Sequence, residues 1–252
     1  MSLLQKIKPT VLTVNRYEAW THPETLAAVE RVAGCRLVCK LEQDIGHTNI
    51  QLTESGLAGL ENIPAEPIEP LPGTGDGLEE EDITEDRDTD VVGWHNDMYP
   101  FSITVSLNYP SGKGGETALM CADGEIMKAQ KPDVGYGVFV HGNLIKHKAV
   151  RAIGAQERIT MVCSFWPADP LLREDSKLVN TRSISLKPEM YYQWATYRLD
   201  TLAARFQDTA KNLREKHRQR KLYGEEVVDL AEFAKWAKEQ VAYLERTYDH
   251  MV

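Results

Sequence analysis

Six short segments between residues 101 and 166 alternate apolar and polar side chains as β-strands do, and turn residues separate them. No helix lies between them to serve as the crossover that a parallel sheet requires, so we expect antiparallel pairing. Short strands at a spacing of roughly 8–12 residues are typical of a sandwich or a barrel. The predicted strands are FSITVSLNY (101–109), GETALM (115–120), GEIMKAQ (124–130), VGYGVFVHG (134–142), LIKHKAV (144–150) and RITMVCSFW (158–166).

The residues before this block predict a helix, two short strands and a long loop. The helix covers 21–34, with Thr21 and Glu24 as a capping box and Gly34 as its end. The two short strands cover 36–41 and 46–52. Residues 53–90 contain recurrent proline and glycine and then a run of Asp and Glu, which favours a long solvated loop.

The last part of the chain predicts an antiparallel pair of helices, 188–220 and 225–250, joined by a turn near Gly224. Each has an apolar stripe at helical spacing, which we expect to pack on the sheet. The first stripe is Met190, Trp194, Tyr197, Leu202, Phe206 and Leu213, and the second is Leu230, Phe233, Ala237, Val241, Leu244 and Tyr248. Together these elements predict one α+β domain over residues 1–252, with its strand core at 95–166.

Charge and composition exclude some classes of function. The chain has 252 residues and a formal net charge of -9, which disfavours binding to nucleic acid or to anionic membranes, since both are polyanions. No apolar run approaches the roughly 20 residues that span a bilayer, and we expect no signal peptide. The four cysteines have no CxxC spacing, so we expect reduced thiols in a cytoplasmic protein.

The sequence His95-Asn96-Asp97 predicts two ligands of a metal site. In a strand-like segment residues i and i+2 point the same way, so the imidazole and the carboxylate face a common point. His147, near the end of the strand block, supplies a third ligand. Two histidines and one carboxylate form the facial triad of non-haem iron(II) oxygenases. His-x-Asp alone is common by chance, and His141 competes with His147 for the third position.

Arg158 follows His147 by eleven residues and begins the next predicted strand. A guanidinium group can bind a carboxylate through two parallel hydrogen bonds, which suits the distal carboxylate of a 2-oxo dicarboxylic acid. Thr160 lies two residues further along, on the same face, and its hydroxyl could bind the same group. The alternative for Arg158 is a surface ion pair, for example with Glu157.

These segments resemble the double-stranded β-helix (jelly-roll, cupin-like) oxygenases that depend on Fe(II) and 2-oxoglutarate. The chain is similar to a fungal family that includes the aziridine-forming amino acid oxygenase TqaL. The resemblance rests on DIGHTNIQ (44–51), WHNDMYPF (94–101), GGETAL (114–119), ERITMVCSF (157–165) and the C-terminal YRLDTL (197–202) and YLERTYDHM (243–251). Family members often have Gln where His141 stands.

The resemblance implies an enzyme that uses Fe(II), 2-oxoglutarate and O2 to hydroxylate, desaturate or cyclise a small molecule, in fungal secondary or amino acid metabolism. Trp94, Met98, Tyr99 and Phe101 are candidates for the walls of the substrate pocket, and the alternative is that they are core residues. The resemblance adds Asn49 and His47 to the substrate candidates. Other functions left open are oxidation of a protein side chain, a metal enzyme that does not use 2-oxoglutarate, and a non-catalytic jelly-roll binding protein.

Overall fold

The computed structural model describes residues 5–6, 16–52, 90–108, 115–129, 133–150, 157–178, 182 and 185–251. Nearly all of the predicted acidic loop (53–90) and of the segment between the predicted strands 101–109 and 115–120 lies outside these residues. Four α-helices are described: α1 (Arg16–Thr21), α2 (Pro23–Ala33), α3 (Lys187–Gln219) and α4 (Leu230–Asp249). None of the helices in the described ranges combines the length and the apolar character needed to span a membrane.

Ten described strands form two sheets, and all their pairings are antiparallel. The larger sheet contains β1 (Gln5–Lys6), β2 (Leu37–Val38), β3 (His47–Leu52), β5 (Phe101–Asn108), β8 (Tyr136–Val140) and β10 (Glu157–Pro167), in the order β1-β8-β5-β10-β2 with β3 also on β10. The smaller sheet contains β4 (Asp90–His95), β6 (Thr117–Met120), β7 (Ile126–Lys128) and β9 (His147–Val150), in the order β4-β9-β6-β7.

The chain crosses repeatedly between the two sheets from β4 onward. It passes from β4 to β5, to the β6–β7 hairpin, to β8, to β9 and to β10, changing sheet at each step. This is the path of a jelly roll, and the predicted α+β fold with a jelly-roll core and a C-terminal helical pair is confirmed. Apolar side chains from both sheets meet between them, including Leu119, Val138 and Val140.

The outer face of the larger sheet packs against α1 and α2. Trp20 and Val29 of the helices join Ile103, Cys163 and Phe165 of the strands in one buried cluster. Alternate residues of β10 therefore point into this cluster, and the residues between them point toward the smaller sheet.

The predicted start of the N-terminal helix is wrong, whereas its end is confirmed. Thr21 ends α1, and its hydroxyl donates to the carbonyl of Tyr17 at 2.8 Å. His22 caps α2 instead, because its Nδ1 accepts the N–H of Glu24 at 3.3 Å. Gly34 ends α2 in the left-handed conformation, at φ 74°, and donates its N–H to the carbonyl of Glu30.

A second buried cluster joins α3 to the end of β10. Met190, Trp194 and Tyr197 of α3 pack against Trp166 of β10 and against Leu41. The predicted apolar stripe of the first C-terminal helix is therefore buried over its first half, while Phe206 further along α3 is exposed.

The predicted stripe of the second C-terminal helix does not face the core. Leu230 is 79% exposed and Val241 is 56% exposed, whereas Tyr243 and Thr247 are buried. The buried Arg198 of α3 fixes the rotation of α4 about its own axis. Its Nη2 donates to the Tyr243 carbonyl at 2.8 Å and its Nε donates to Thr247 Oγ1 at 2.7 Å. Polar contacts rather than the apolar period decide which face of α4 is inside.

Candidate metal centre

Three side chains that can bind a metal meet at one end of the smaller sheet. His95 ends β4 and His147 begins β9, and the two residues are direct partners in the antiparallel register. Asp97 follows two residues after His95, and a backbone bond from its N–H to the carbonyl of Gly142, 2.9 Å long, turns it toward the histidines. One ligand atom from each of His95, Asp97 and His147 lies within 4.8 Å of the others.

The strand alternation predicted for His95 and Asp97 is not what brings their side chains together. Asp97 is not part of β4, which ends at His95. The two side chains converge because the chain leaves the strand and pairs with the turn at Gly142, so the alternation of a strand is not the cause.

The nitrogens and the oxygen that face one another are those a metal would need. Nε2 of His147 lies 3.4 Å from Oδ1 of Asp97, and Nε2 of His95 lies 3.6 Å from the same oxygen. Each histidine places its Nδ1 2.8 Å from a backbone carbonyl, that of Gly93 for His95 and that of Ile145 for His147. A donor at Nδ1 leaves Nε2 as the ligand atom, which is the usual arrangement of a metal-binding histidine.

Charges in the cluster favour a cation. Burial alone would raise the pKa of the Asp97 carboxyl, but hydrogen bonds and charge from His147, with bonds from His95 and Ser102, outweigh it and hold that pKa well below its usual range. Burial would lower the pKa of His147, but the contact with Asp97 outweighs burial and raises it. The carboxylate is therefore ionised near neutral pH, and its negative charge favours a positive charge at the point that the two histidines face.

Arg158 and Thr160 lie on the inner face of the larger sheet. They are two residues apart on β10, so their side chains point to the same face, and both are buried, at 7% and 1% exposed. Thr160 is paired with Ser106 of β5, and Ser102, four residues earlier on the same face, donates a hydrogen bond to Asp97. The face that carries Arg158 and Thr160 is therefore the face that meets the group of His95, Asp97 and His147.

Some of the predicted substrate residues occupy core positions. Met98 and Tyr99 are buried in the cluster formed with α3, and the Tyr99 ring lies 4.6 Å from that of Trp166. Phe101 belongs to the outer core, where its ring stacks on Phe139 at 5.7 Å. A role for Met98, Tyr99 and Phe101 in substrate binding stays a prediction.

The other predicted substrate residues are more open. Trp94 is half-buried, with the ammonium of Lys148 5.1 Å from the centre of its ring. His47 and Asn49 are exposed on β3, and Asn49 is the direct partner of Thr160 on β10. These two side chains lie on the same face of the larger sheet as Thr160.

His141 lies outside the group formed by the three predicted ligands. It follows β8, and its ring packs 4.4 Å from that of Phe101. The choice of His147 over His141 as the third ligand stays a prediction.

Comparisons with known proteins give little beyond this geometry. No family model matches the chain, and no curated protein matches it. Similar solved structures include a 2OG-Fe(II) oxygenase family oxidoreductase from Burkholderia pseudomallei, 15% identical over 59% of this chain and 54% of that one, with a TM-score of 0.38. A prolyl-4-hydroxylase from Pseudomonas putida is 16% identical over 66% of this chain and 72% of that one, with a TM-score of 0.28.

The matched region thus spans about half of the Burkholderia protein. At these identities and TM-scores neither similarity assigns a family to this chain. Its function has to be inferred from the side chains of the site.

Proposed function

We propose that the chain is an Fe(II)- and 2-oxoglutarate-dependent oxygenase that oxidises an unactivated C–H bond of a small molecule. His95, Asp97 and His147 bind the metal, and Arg158 and Thr160 bind the distal carboxylate of 2-oxoglutarate. The observation that carries the proposal is the convergence of two Nε2 atoms on one oxygen of Asp97, with both Nδ1 atoms held by backbone carbonyls.

The donor set fits iron(II). Three facial ligands about 2.1 Å from an octahedral ion are about 3 Å apart, close to the separations that the histidines keep from Asp97. Two imidazoles and one carboxylate leave three coordination positions, enough for a bidentate 2-oxo acid and O2. When bound, the iron and 2-oxoglutarate supply the oxidising chemistry with O2, and the protein supplies orientation and shielding.

The chain's own residues account for recognition of the cosubstrate. Arg158 is buried on the inner face, where its guanidinium can bind a carboxylate through two hydrogen bonds. Thr160, on the same face of β10, offers a hydroxyl to the same carboxylate. Both residues begin the strand whose later residues anchor the sheet to the outer core, so their positions are fixed by packing.

The resemblance to the fungal family supports a small-molecule substrate, and the net charge of -9 disfavours a nucleic acid. Oxidation of a protein side chain would use the same metal and the same arginine. A metal enzyme independent of 2-oxoglutarate would have no use for an arginine buried on the inner face of the sheet. A binding protein without catalysis would have no use for it either, so Arg158 disfavours both alternatives.

The test is anaerobic Fe(II) loading of the protein, followed by turnover of 2-oxoglutarate to succinate in air with a panel of amino acids, fungal metabolites and peptides. We expect succinate to form in the wild type, with a rate that rises when the panel contains a substrate, and not in His147→Ala. Wild-type protein that binds Fe(II) but neither binds nor consumes 2-oxoglutarate would refute the proposal. Turnover with peptides alone would favour the protein-directed alternative.

A further inference from the structure

Ser102 and Gly142 contact Asp97, although neither belongs to the predicted ligand set. Ser102 lies in β5, is buried, and donates its hydroxyl hydrogen to Oδ2 of Asp97. Gly142 follows β8 and accepts the backbone N–H of Asp97 at 2.9 Å. Asp97 is therefore fixed at both its backbone and its carboxylate, by two different parts of the jelly roll.

The approach of Gly142 to Asp97 leaves no space for a side chain. A Cβ built on Gly142 would lie 2.6 Å from Cβ and 2.7 Å from Cγ of Asp97. Carbon atoms that are not bonded do not approach so closely, so any larger residue would displace the carboxylate. The backbone of the turn thus forms one wall of the space that Asp97 occupies.

The two oxygens of Asp97 are used differently. Oδ1 faces Nε2 of both histidines, at 3.4 and 3.6 Å, whereas Oδ2 accepts the hydrogen bond from Ser102. An aspartate that turned both oxygens toward the metal would occupy one more coordination position. The contact with Ser102 opposes this rotation, and the contact with Gly142 restricts movement of the side chain as a whole.

We propose that Ser102 and Gly142 are positioning residues that hold Asp97 as a ligand through Oδ1 alone, keeping three coordination positions free for cosubstrate and O2. The proposal rests on the proposed function, since it needs a metal in the cluster. Partners that orient a metal ligand commonly change metal affinity about 10- to 100-fold when they are removed.

The first experiment binds Co(II) alone to wild type, Ser102→Ala and Ser102→Thr, and records affinity and the visible absorption of the bound ion, which depends on its coordination number. We expect Ser102→Ala to bind about 10- to 100-fold more weakly with an altered spectrum. Ser102→Thr keeps the hydroxyl and should restore the wild-type spectrum. The control is Ser164→Ala, which removes the same group from the residue directly opposite Ser102 on β10.

The second experiment compares Gly142→Ala with Gly137→Ala. A Cβ on Gly137 would lie 2.8 Å from Cδ1 of Ile103 in the outer core, so this control crowds the same strand region without touching Asp97. We expect Gly142→Ala to weaken Co(II) binding and change its spectrum. Gly137→Ala should lower the midpoint of thermal unfolding while leaving the spectrum of its bound Co(II) unchanged.

The outcomes separate the two proposals. Wild-type protein that does not bind Co(II) would overturn the metal centre and with it the proposed function. Wild type that binds, with the affinity and spectrum unchanged in folded Ser102→Ala or in folded Gly142→Ala, would overturn only the positioning role. An equal loss in Ser164→Ala would also overturn it, because the effect would then not depend on the contact with Asp97.

Discussion

Replacement of Arg158 by alanine should remove most of the affinity for 2-oxoglutarate. Arg158 is 7% exposed, so a carboxylate bound to it is largely withdrawn from water. Removal of one partner from a buried charge pair costs about 2–5 kcal/mol. At about 1.4 kcal/mol for each factor of ten, the loss of affinity is about 30-fold to several thousand-fold.

Two milder variants should rank between wild type and alanine. Arg158→Lys keeps the charge but loses the planar pair of donors, so its affinity should lie between those of wild type and Arg158→Ala. Thr160→Val removes one hydroxyl without changing the shape of the side chain much. Its loss should be about 0.5–1.5 kcal/mol, or roughly two- to tenfold.

The assay titrates 2-oxoglutarate into the anaerobic Fe(II) protein and follows the visible absorption of the chelate. The affinity for Fe(II) is measured separately and should change little, because Arg158 is not a proposed metal ligand. Circular dichroism checks that each variant is folded. If wild type binds 2-oxoglutarate and folded Arg158→Ala binds it equally well, the assignment of Arg158 is wrong and another residue binds the distal carboxylate. Wild type that binds Fe(II) but not 2-oxoglutarate would favour a metal enzyme without this cosubstrate.

Three further predictions concern the metal and the fold. His147→Ala should lose bound Fe(II), measured by metal analysis after desalting, while His141→Ala should keep it; the reverse result would exchange their roles. An imidazole must lose its proton to bind a metal, and the contact with Asp97 raises the pKa of His147, so Co(II) affinity should fall at least about tenfold for each pH unit below that pKa; an affinity independent of pH would contradict this. Arg198→Met breaks the buried pair with Glu174 and should lower the free energy of unfolding in urea by about 3–5 kcal/mol, against at most about 1 kcal/mol for Arg218→Ala in an exposed pair; equal losses would refute it.

Much of the strand core could be predicted from the sequence because its signal is local. The alternation in 101–109 and 158–166 became β5 and β10 with nearly the same ends. The strand that ends at His95 is not among the strands predicted from the sequence. The structure forms β4 there by pairing with β9, so that His95 lies opposite His147. Such a partnership between distant segments depends on tertiary pairing, which a window of sequence does not contain.

The positions of Ser102 and Gly142 beside Asp97 could not be predicted for the same reason. Ser102 looks like an ordinary polar residue of an alternating strand, and Gly142 looks like an ordinary turn residue. Their importance comes from the close approach of three chain segments around one carboxylate. The rotation of α4 was mispredicted because buried hydrogen bonds from Arg198 outweighed the apolar period of the helix.

Strand β10 links the outer core to the candidate site. Cys163 and Phe165 point into the core beneath α1 and α2, while Arg158 and Thr160 lie on the opposite face, which meets His95, Asp97 and His147. A slip of one residue in the pairing of β10 would exchange the two faces, placing a guanidinium in the outer core and apolar side chains beside the candidate metal ligands. The guanidinium in the outer core would be costly, because it buries a charge among apolar groups. The exchange of faces would also remove Thr160 from its place opposite Asn49 and Ser106. The apolar residues that stabilise the outer core therefore also fix the register that brings Arg158 and Thr160 to the site.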